Sequence, residues 1–342
     1  MSVSSQSEVN ERHTRKHVWY AFVGRATLTA IAYPLEYVKV LIQLGHEPLP
    51  PRPTRRFFGK PALALPGAWE YLGYIKKVDG FTGLYRGLSA KLCVNFFSGA
   101  VYSEVNRVLL STFSLILSLN EGLYMQKLPA VIDFEDEEED DDVTEEQRII
   151  NFAKRTCKEM VAKCIALTCS QPFHVITVRC MAQFVGRETT YNGVWGSIVH
   201  IYKEEGVLGL FSGLIPRLVG EVLTIFFASS IAFVINAYIV QDRTLQGYIS
   251  ATTMFLSSSV TYPFTLVGNI MAISHSGLQA AQPPNMPLYM SWVDCWSHLN
   301  SVGQLKRGSS ILWRYYQGPY VVDEAGVARP VLKQVTGRNN SL

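Results

Sequence analysis

The chain has 342 residues, of which 48% are hydrophobic and only 17% are charged, against roughly 25% charged residues in a typical soluble protein. This composition excludes an intrinsically disordered chain, and six cysteines without metal-site spacing exclude a disulfide scaffold of this length. With a mean hydropathy of +0.12 and a formal net charge of +3, a membrane helix bundle is the predicted class.

The first 17 residues are polar and include Glu8 and Glu11. They therefore match neither a secretory signal nor a good mitochondrial presequence. We expect residues 1–17 to form a polar tail, and any targeting signal to be internal.

Five stretches are long and apolar enough to cross a bilayer, which takes about 20 helical residues. Polar or charged residues interrupt each stretch, as is typical of helices in a polytopic bundle. In chain order the predicted spans are 18–44, 88–119, 157–185, 214–240 and 248–273. Two amphipathic segments between them, Ala68–Val78 and Tyr191–Glu205, are expected to lie along the membrane surface.

An acidic block separates the second and third spans. Eleven of the 28 acidic residues lie between Asp133 and Glu146 with no basic residue among them, so the rest of the chain carries 17 acidic against 31 basic residues, a net charge of +14. Like charges repel each other and stay solvated. We interpret residues 121–150 as a disordered loop, either a docking surface for basic partners or a tolerated insertion.

The sequence repeats three times. In the first unit Pro34, Glu36 and Lys39 precede an aromatic amphipathic segment and the stretch Asp79–Gly87. The second and third units follow the same order. They contain Pro172 with His174 and then Glu205–Gly213, and Pro263 followed by an aromatic segment and Gly303–Gly308. The repeat predicts three units of helix, surface helix and helix.

These motifs resemble the mitochondrial carrier superfamily, whose repeat reads P-x-[DE]-x-x-[KR] and then [DE]-G-x-x-x-x-[aromatic]-[KR]-G. The resemblance is closer still to the mitochondrial carrier homologue family, a divergent branch of the outer membrane. The segments that carry it are Tyr37–Gln43, Pro172–Thr177 and Gly213–Leu218, and it covers roughly residues 18–314. The predicted division is repeat 1 at 18–120, repeat 2 at 151–241, a truncated repeat 3 at 242–314 and a C-terminal tail at 315–342.

Two departures from the carrier pattern shape the expected function. Only the first unit keeps the acid and base, Glu36 and Lys39, so three helices have no ionic latch at one end. A sixth span is also missing, because the longest uncharged run after Trp313 is the eight residues Tyr315–Val322, far short of about 20. We therefore predict an all-α membrane protein with five transmembrane helices and a laterally open polar groove.

At 100° per residue, polar side chains form one stripe on each span. Charges in hydrocarbon are costly, so the stripes must face each other or water. The predicted groove residues are Arg25, Glu36, Lys39, Gln43, Lys91, Asn95, Lys163, His174, Arg217 and Glu221, with Thr29, Ser98, Tyr102, Ser170, Thr177, Thr224, Ser257, Thr261 and Thr265 on the same stripes.

Each of these residues also has a simpler explanation. Glu36 with Lys39, and Arg217 with Glu221, have the spacing of pairs within one helix. His174 suits a hydrogen-bonded core histidine better than a proton carrier. Arg179 points about 160° away from the stripe by helical-wheel arithmetic, towards the surface or a neighbouring helix. The repeat prolines are expected to kink their helices and the cysteines to be small buried residues.

An open polar groove beside lipid suits a membrane insertase, and the family resemblance implies the same function. The implied clients are tail-anchored, signal-anchored and multispan α-helical proteins of the mitochondrial outer membrane. Pro-apoptotic membrane-binding proteins and lipids are further implied partners. A degenerate solute carrier and a lipid scramblase that uses the same groove are the alternatives. We expect no enzyme, because no nucleophile–base set or phosphate loop is present, and no cofactor or nucleic acid.

Overall fold

The structure is a computed structural model that describes residues 3–55, 59–120, 145–240, 242–316, 318, 320–323 and 328–330. The described chain is mostly helical. The long helices are α1 (Val3–Gln43), α3 (Leu88–Asn120), α4 (Glu145–Gly186), α6 (Leu214–Tyr238) and the consecutive pair α7 (Arg243–Val260) and α8 (Tyr262–Ile273). The short helices are α2 (Ala68–Gly83), α5 (Val194–Gly209) and α9 (Trp292–Ser301), and a 3-10 turn covers Gln279–Ala281.

The order of the helices follows the predicted plan of helix, surface helix and helix in the first two units. In the first two units a long helix, a short helix and a second long helix follow one another, and α2 and α5 occupy the two predicted amphipathic segments. In the third unit α7 and α8 are followed by α9. Along the bundle α3 packs on α4, α4 on α6, and α6 on both α7 and α8.

Two boundaries at the start of long helices were predicted wrongly. Helix α1 begins at Val3, so residues 3–17 continue the first helix and do not form a separate tail. No glycine or proline occurs between Val3 and Val23 to stop it. Helix α4 begins at Glu145, so the last six residues of the predicted loop 121–150 are helical. The rest of the acidic block, up to residue 144, lies outside the described residues.

The fifth predicted span, 248–273, is two helices. Helix α7 ends at Val260 and α8 begins at Tyr262, with Thr261 outside helical geometry between them. Pro263 explains the break, because proline has no N–H to donate and occupies the first turn of a helix without strain. Pro34 and Pro172 instead lie inside continuous helices.

The hydrophobic core lies at one end of the bundle, where the C-terminal parts of α1, α4 and α8 meet. Fully buried side chains there include Leu41 from α1, Met181 from α4 and Ile270 from α8. Ile75 of α2 and Ile201 of α5 belong to the same cluster. We call this the closed end of the bundle.

A small sheet, which the sequence did not predict, lies at the closed end. Strands β1 (Arg52–Arg55) and β2 (Pro61–Leu65) pair antiparallel, and β3 (Arg314–Tyr315) adds to β2 with Ala64 opposite Tyr315. Strands β4 (Tyr320–Val322) and β5 (Ala328–Pro330) form a hairpin. Among the described residues after Ser301 there is no further helix, so the predicted tail 315–342 is partly strand.

Two helices of the described chain, α4 and α6, are long and apolar enough to cross a membrane, and α8 is apolar but shorter. Helices α1, α3 and α7 are less apolar over a span of the same length. That these three also cross the bilayer stays a prediction.

Candidate functional site

Five of the predicted groove residues meet in a cluster between the helices. Glu36 comes from α1, Lys91 from α3 and Lys163 from α4, and Arg217 and Glu221 come from the first two turns of α6. We call these five residues the charged cluster.

The carboxylates of the charged cluster pair between helices. Glu36 accepts a hydrogen bond from the Lys91 ammonium group, and Glu221 lies 3.3 Å from Lys163. The simpler explanation, pairs within one helix between Glu36 and Lys39 and between Glu221 and Arg217, was therefore wrong. The pairs form between helices because Lys91 and Lys163 lie on neighbouring helices and face the same interior as the two carboxylates.

Arg217 bonds to a neutral partner. Its guanidinium donates to Gln171 Oε1 of α4 over 2.8 Å, and the Gln171 amide nitrogen donates to the Ser212 carbonyl over 2.9 Å. The carboxylates of Glu221 and Glu36 lie within electrostatic reach of Arg217. Arg217 thus joins α4 to the start of α6 through a fully buried amide.

Below the charged cluster a network of mostly uncharged groups joins α1, α4 and α8. Asn269 Nδ2 donates to Gln43 Oε1 over 2.7 Å, and Asn269 Oδ1 lies 3.1 Å from His174 Nε2. The Gln43 amide donates to the Tyr262 hydroxyl over 2.8 Å. We call Gln43, His174, Tyr262 and Asn269 the polar floor. The expectation of a hydrogen-bonded histidine is confirmed.

Arg307 closes the polar floor from the third unit. The Tyr262 hydroxyl donates to the Arg307 carbonyl over 2.7 Å, and the Arg307 guanidinium donates twice to the Gln43 carbonyl, over 2.6 and 3.0 Å. Burial lowers the pKa of Arg307 from its ordinary value, and nearby polar groups oppose this shift. Arg307 therefore satisfies a carbonyl at the C-terminal end of α1, where four have no helical partner.

Of the other predicted residues, Lys39 and Asn95 make contacts between helices. The Lys39 ammonium sits 5.4 Å from the centre of the Tyr262 ring, a cation–π contact. Asn95 donates to Thr29 Oγ1 over 2.9 Å and so links α3 to α1. Arg25 is exposed, about 16 Å along α1 from Glu36 by the helical rise. Thr265 is also exposed.

Four residues of the site were missed by the sequence analysis: Gln171, Tyr262, Asn269 and Arg307. A single uncharged amide or hydroxyl inside an apolar helix gives little signal, because the sequence does not show whether it faces a polar partner or the surface. Arg307 did have a signal. Arg307 and Gly308 repeat the position of Arg86 and Gly87, although the turn from Gly303 is two residues shorter than the turn from Gly80.

The glycine at the end of each turn joins one unit to the next. Gly308 has a φ of +78°, and a Cβ there would lie 2.9 Å from Gln43 Cγ and 3.0 Å from the Tyr262 hydroxyl. Gly87 packs in the same way against Thr177 and Cys180 of α4, and Gly213 against Gly268 of α8. The third unit therefore reaches back to the first and completes the closed end.

Arg179 lies away from the charged cluster, as expected, but does not reach the surface. It is fully buried, pairs with Glu205 of α5, and donates to the Ala272 carbonyl over 2.9 Å and to the Tyr191 hydroxyl over 3.2 Å. Of the two predicted positions for this side chain, contact with a neighbouring helix is therefore the correct one.

The prediction that all cysteines are buried was wrong for four of them. Cys180 and Cys295 are buried, whereas Cys157 and Cys169 are exposed and Cys93 and Cys164 are half-buried. These four cysteines lie on helix faces outside the core.

The packing between α1 and α7 is less extensive than the packing between the other neighbouring long helices. Within the described residues α1 packs on α2, α3, α4 and α8, but α1 and α7 share no interface of this extent. The charged cluster is partly exposed, with 39% of the Lys163 side chain and 36% of the Glu36 side chain accessible.

Comparison with known proteins places these features in a family. A family model described as mitochondrial carrier protein matches residues 10–114 and 150–243. The chain is 39% identical over 292 residues to human "Mitochondrial carrier homolog 2", covering 84% of this chain and 90% of the relative. It is 38% identical over 311 residues to mouse "Mitochondrial carrier homolog 1", covering 84% and 74%.

A more distant match is the Dictyostelium discoideum "Mitochondrial substrate carrier family protein M", 23% identical over 221 residues, or 63% of this chain and 59% of the relative. The chain belongs to the mitochondrial carrier homologue family, a divergent group with the mitochondrial carrier domain.

Proposed function

We propose that this protein is an insertase for α-helical proteins of the mitochondrial outer membrane. The observation that carries the proposal is the charged cluster, which is partly exposed between helices whose outer faces are apolar. Ion pairs inside a membrane bundle mark a polar path by default. Family membership supports a mitochondrial membrane.

The outer surface of the bundle supports a lipid environment. Phe226 and Val234 of α6 and Phe255 and Val260 of α7 are large apolar side chains exposed on neighbouring helices. Soluble monomers rarely expose contiguous apolar patches of this kind. We infer five spans, formed by α1, α3, α4, α6 and the broken pair α7–α8, with the groove open to lipid between α1 and α7.

The groove would lower the cost of moving a polar segment across the bilayer. Each unsatisfied backbone group in hydrocarbon costs several kcal/mol. Inside the groove, water and the charged cluster would keep the polar flank of a client solvated. The client's apolar helix would meanwhile leave sideways into lipid, and burial of that helix supplies the driving force.

The proposed clients are tail-anchored, signal-anchored and multispan α-helical proteins, with pro-apoptotic membrane-binding proteins and lipids as further partners. A short polar flank beside one apolar helix is what such a groove can accept. The closed end makes a solute carrier less suitable, because hydrogen bonds and packed glycines join α1, α4 and α8 where a carrier needs a gate.

Reconstitution of the full chain into liposomes tests the function. Protease protection of a tail-anchored client is measured beside lipid flipping and metabolite exchange, with protein-free liposomes as the background. We expect insertion above that background. Selective metabolite exchange without insertion, or lipid flipping without insertion, would contradict the proposal and favour the carrier or the scramblase.

Charge reversal tests the site. Lys39→Glu and Glu221→Arg change the groove, whereas Lys203→Glu and Glu204→Arg place the same substitutions on the exposed surface of α5. We expect altered insertion only for the first two, with unchanged circular dichroism. Wild-type insertion by both folded groove variants would count against the named residues.

A further inference from the structure

The charges that line the groove are unequal in number. Two carboxylates of the charged cluster, Glu36 and Glu221, face the interior, and the cations outnumber them. The cations are Lys39, Lys91, Lys163 and Arg217, with Arg25 on the same stripe of α1 by helical periodicity. Glu159 and Arg155 of α4 both lie within electrostatic reach of Tyr102 and balance each other.

Both carboxylates are already taken by lysines of neighbouring helices, Lys91 and Lys163. The other three cations have different surroundings. Arg217 donates to the neutral Gln171, and Lys39 lies over the Tyr262 ring. Within the described residues no carboxylate oxygen comes within 4.0 Å of Lys39, Arg217 or Arg25.

The polar floor adds no negative charge to balance them. Gln43 and Asn269 are amides whose donors and acceptors are spent on each other, on Tyr262 and on His174. The guanidinium of Arg307, which donates to the Gln43 carbonyl, adds a further positive charge at this end. The groove therefore has a positive interior from the polar floor to Arg25.

We infer that the groove selects clients by the charge of the segment that crosses the membrane, accepting acidic and neutral flanks and rejecting flanks rich in Lys and Arg. This inference rests on the proposed insertase function. A basic segment would meet repulsion and stay on the entry side, whereas a carboxylate would be attracted by Lys39 and Arg217. The groove would thereby also fix the orientation of the inserted helix.

The expected selectivity is modest for each charge. Because Glu36 and Lys163 are partly exposed, charges in the groove should interact through an effective dielectric well above that of dry protein, which gives about a threefold change in insertion rate per client charge. Added salt should weaken the selectivity, because exposed charges are screened.

The test uses three tail-anchored clients with the same apolar helix and C-terminal flanks that carry Glu, Gln or Lys. The full-length protein is reconstituted in liposomes of neutral phospholipid, so that no anionic lipid neutralises the groove. Insertion is measured by protease protection, and protein-free liposomes give the spontaneous rate of each client.

Three variants test whether the preference for acidic flanks depends on the charge of the groove. Lys39→Gln removes an unbalanced cation and should reduce the preference for the acidic over the basic flank about threefold. Glu221→Gln removes a carboxylate and should enlarge that preference. Lys203→Gln removes an exposed cation of α5 and should leave it unchanged. Because the two groove variants act in opposite directions, loss of folding in one leaves the other as the test.

The outcomes separate the inference from the function on which it rests. Equal insertion of the three clients above background, or faster insertion of the basic flank, overturns the charge selection and leaves the insertase standing. Failure of every client to insert refutes the proposed function, and the inference with it. An acidic preference that moves in opposite directions in Lys39→Gln and Glu221→Gln supports both.

Discussion

At the scale of single residues, the glycine that ends each turn has a role no other residue type can fill. Gly308 combines a φ of +78° with close contact to Gln43 and Tyr262. Side chains other than hydrogen are strained in that backbone conformation. The contact between the third and first units therefore depends on the absence of a Cβ.

Replacing Gly308 by alanine should destabilise the protein by about 1–2 kcal/mol, from the left-handed conformation alone, with the contact to Gln43 adding to it. Gly73→Ala is the matched control, since Gly73 lies exposed inside α2 and a Cβ there would have no other atom within 4 Å. It should stabilise by about 0.5–1 kcal/mol. Thermal unfolding of both variants in detergent checks the opposite signs. A Gly308→Ala variant as stable as wild type would show that the closed end tolerates a side chain there.

The residue-level predictions succeeded where a residue had charge or a repeated motif. Helical periodicity aligns residues within one helix, such as Glu36 with Gln43 or Arg217 with Glu221, and so predicts one polar stripe for each helix. The choice of partner could not be predicted, since it depends on which helices are neighbours. Asn269 was missed because an amide in an apolar helix has the same pattern as a core residue.

At the scale of elements, helix existence was easier to predict than helix ends. The length and apolar character of five stretches located the long helices, and a proline gave the reason for the break between α7 and α8 only once the structure was known. The strands β1 to β5 were missed because the longest has five residues, and such short segments have no distinct pattern.

Arg314 holds strand β3 at the closed end. Its guanidinium pairs with Glu47 of the loop after α1 and donates to the Pro66 carbonyl over 3.2 Å, while Tyr316 N–H donates to the Leu63 carbonyl over 2.8 Å. Burial lowers the pKa of Arg314 to about 10, so the side chain stays charged at neutral pH.

Arg314→Gln should loosen strand β3 without unfolding the helices, because it removes the ion pair to Glu47. We expect faster chymotrypsin cleavage after Tyr315 and Tyr316 and an unchanged circular dichroism spectrum. Arg52→Gln is the control, since the exposed pair of Arg52 with Glu70 should contribute little. Equal cleavage of both variants would mean that strand pairing alone holds the segment.

At the scale of the whole molecule, the two ends of the bundle differ in how they are held. The closed end combines the polar floor, the packed glycines and the apolar core. Away from it, α1 and α7 have no extensive interface within the described residues. The polar floor holds the closed end through hydrogen bonds between amides, a hydroxyl and an imidazole, whereas a carrier with an ionic latch holds that end through charge pairs in each unit.

Amide hydrogen exchange should therefore show a gradient along α1. Residues 37–43 and the helix α8 should be the most protected, and residues 23–30 and α7 should exchange faster, since opening free energies follow buried contacts. Addition of a tail-anchored client should leave the protection of α8 unchanged. A loss of protection in α8 during insertion would show that the closed end opens, as in an alternating-access cycle.

The turn that ends in Gly308 separates the stability of the base of the bundle from the chemistry of its interior. Arg307 and Gly308 join the third unit to α1 through contacts with Gln43 and Tyr262. Within the described residues this junction involves no helix after α9. Substitutions on the exposed interior should therefore change what the protein accepts without weakening the junction between the units.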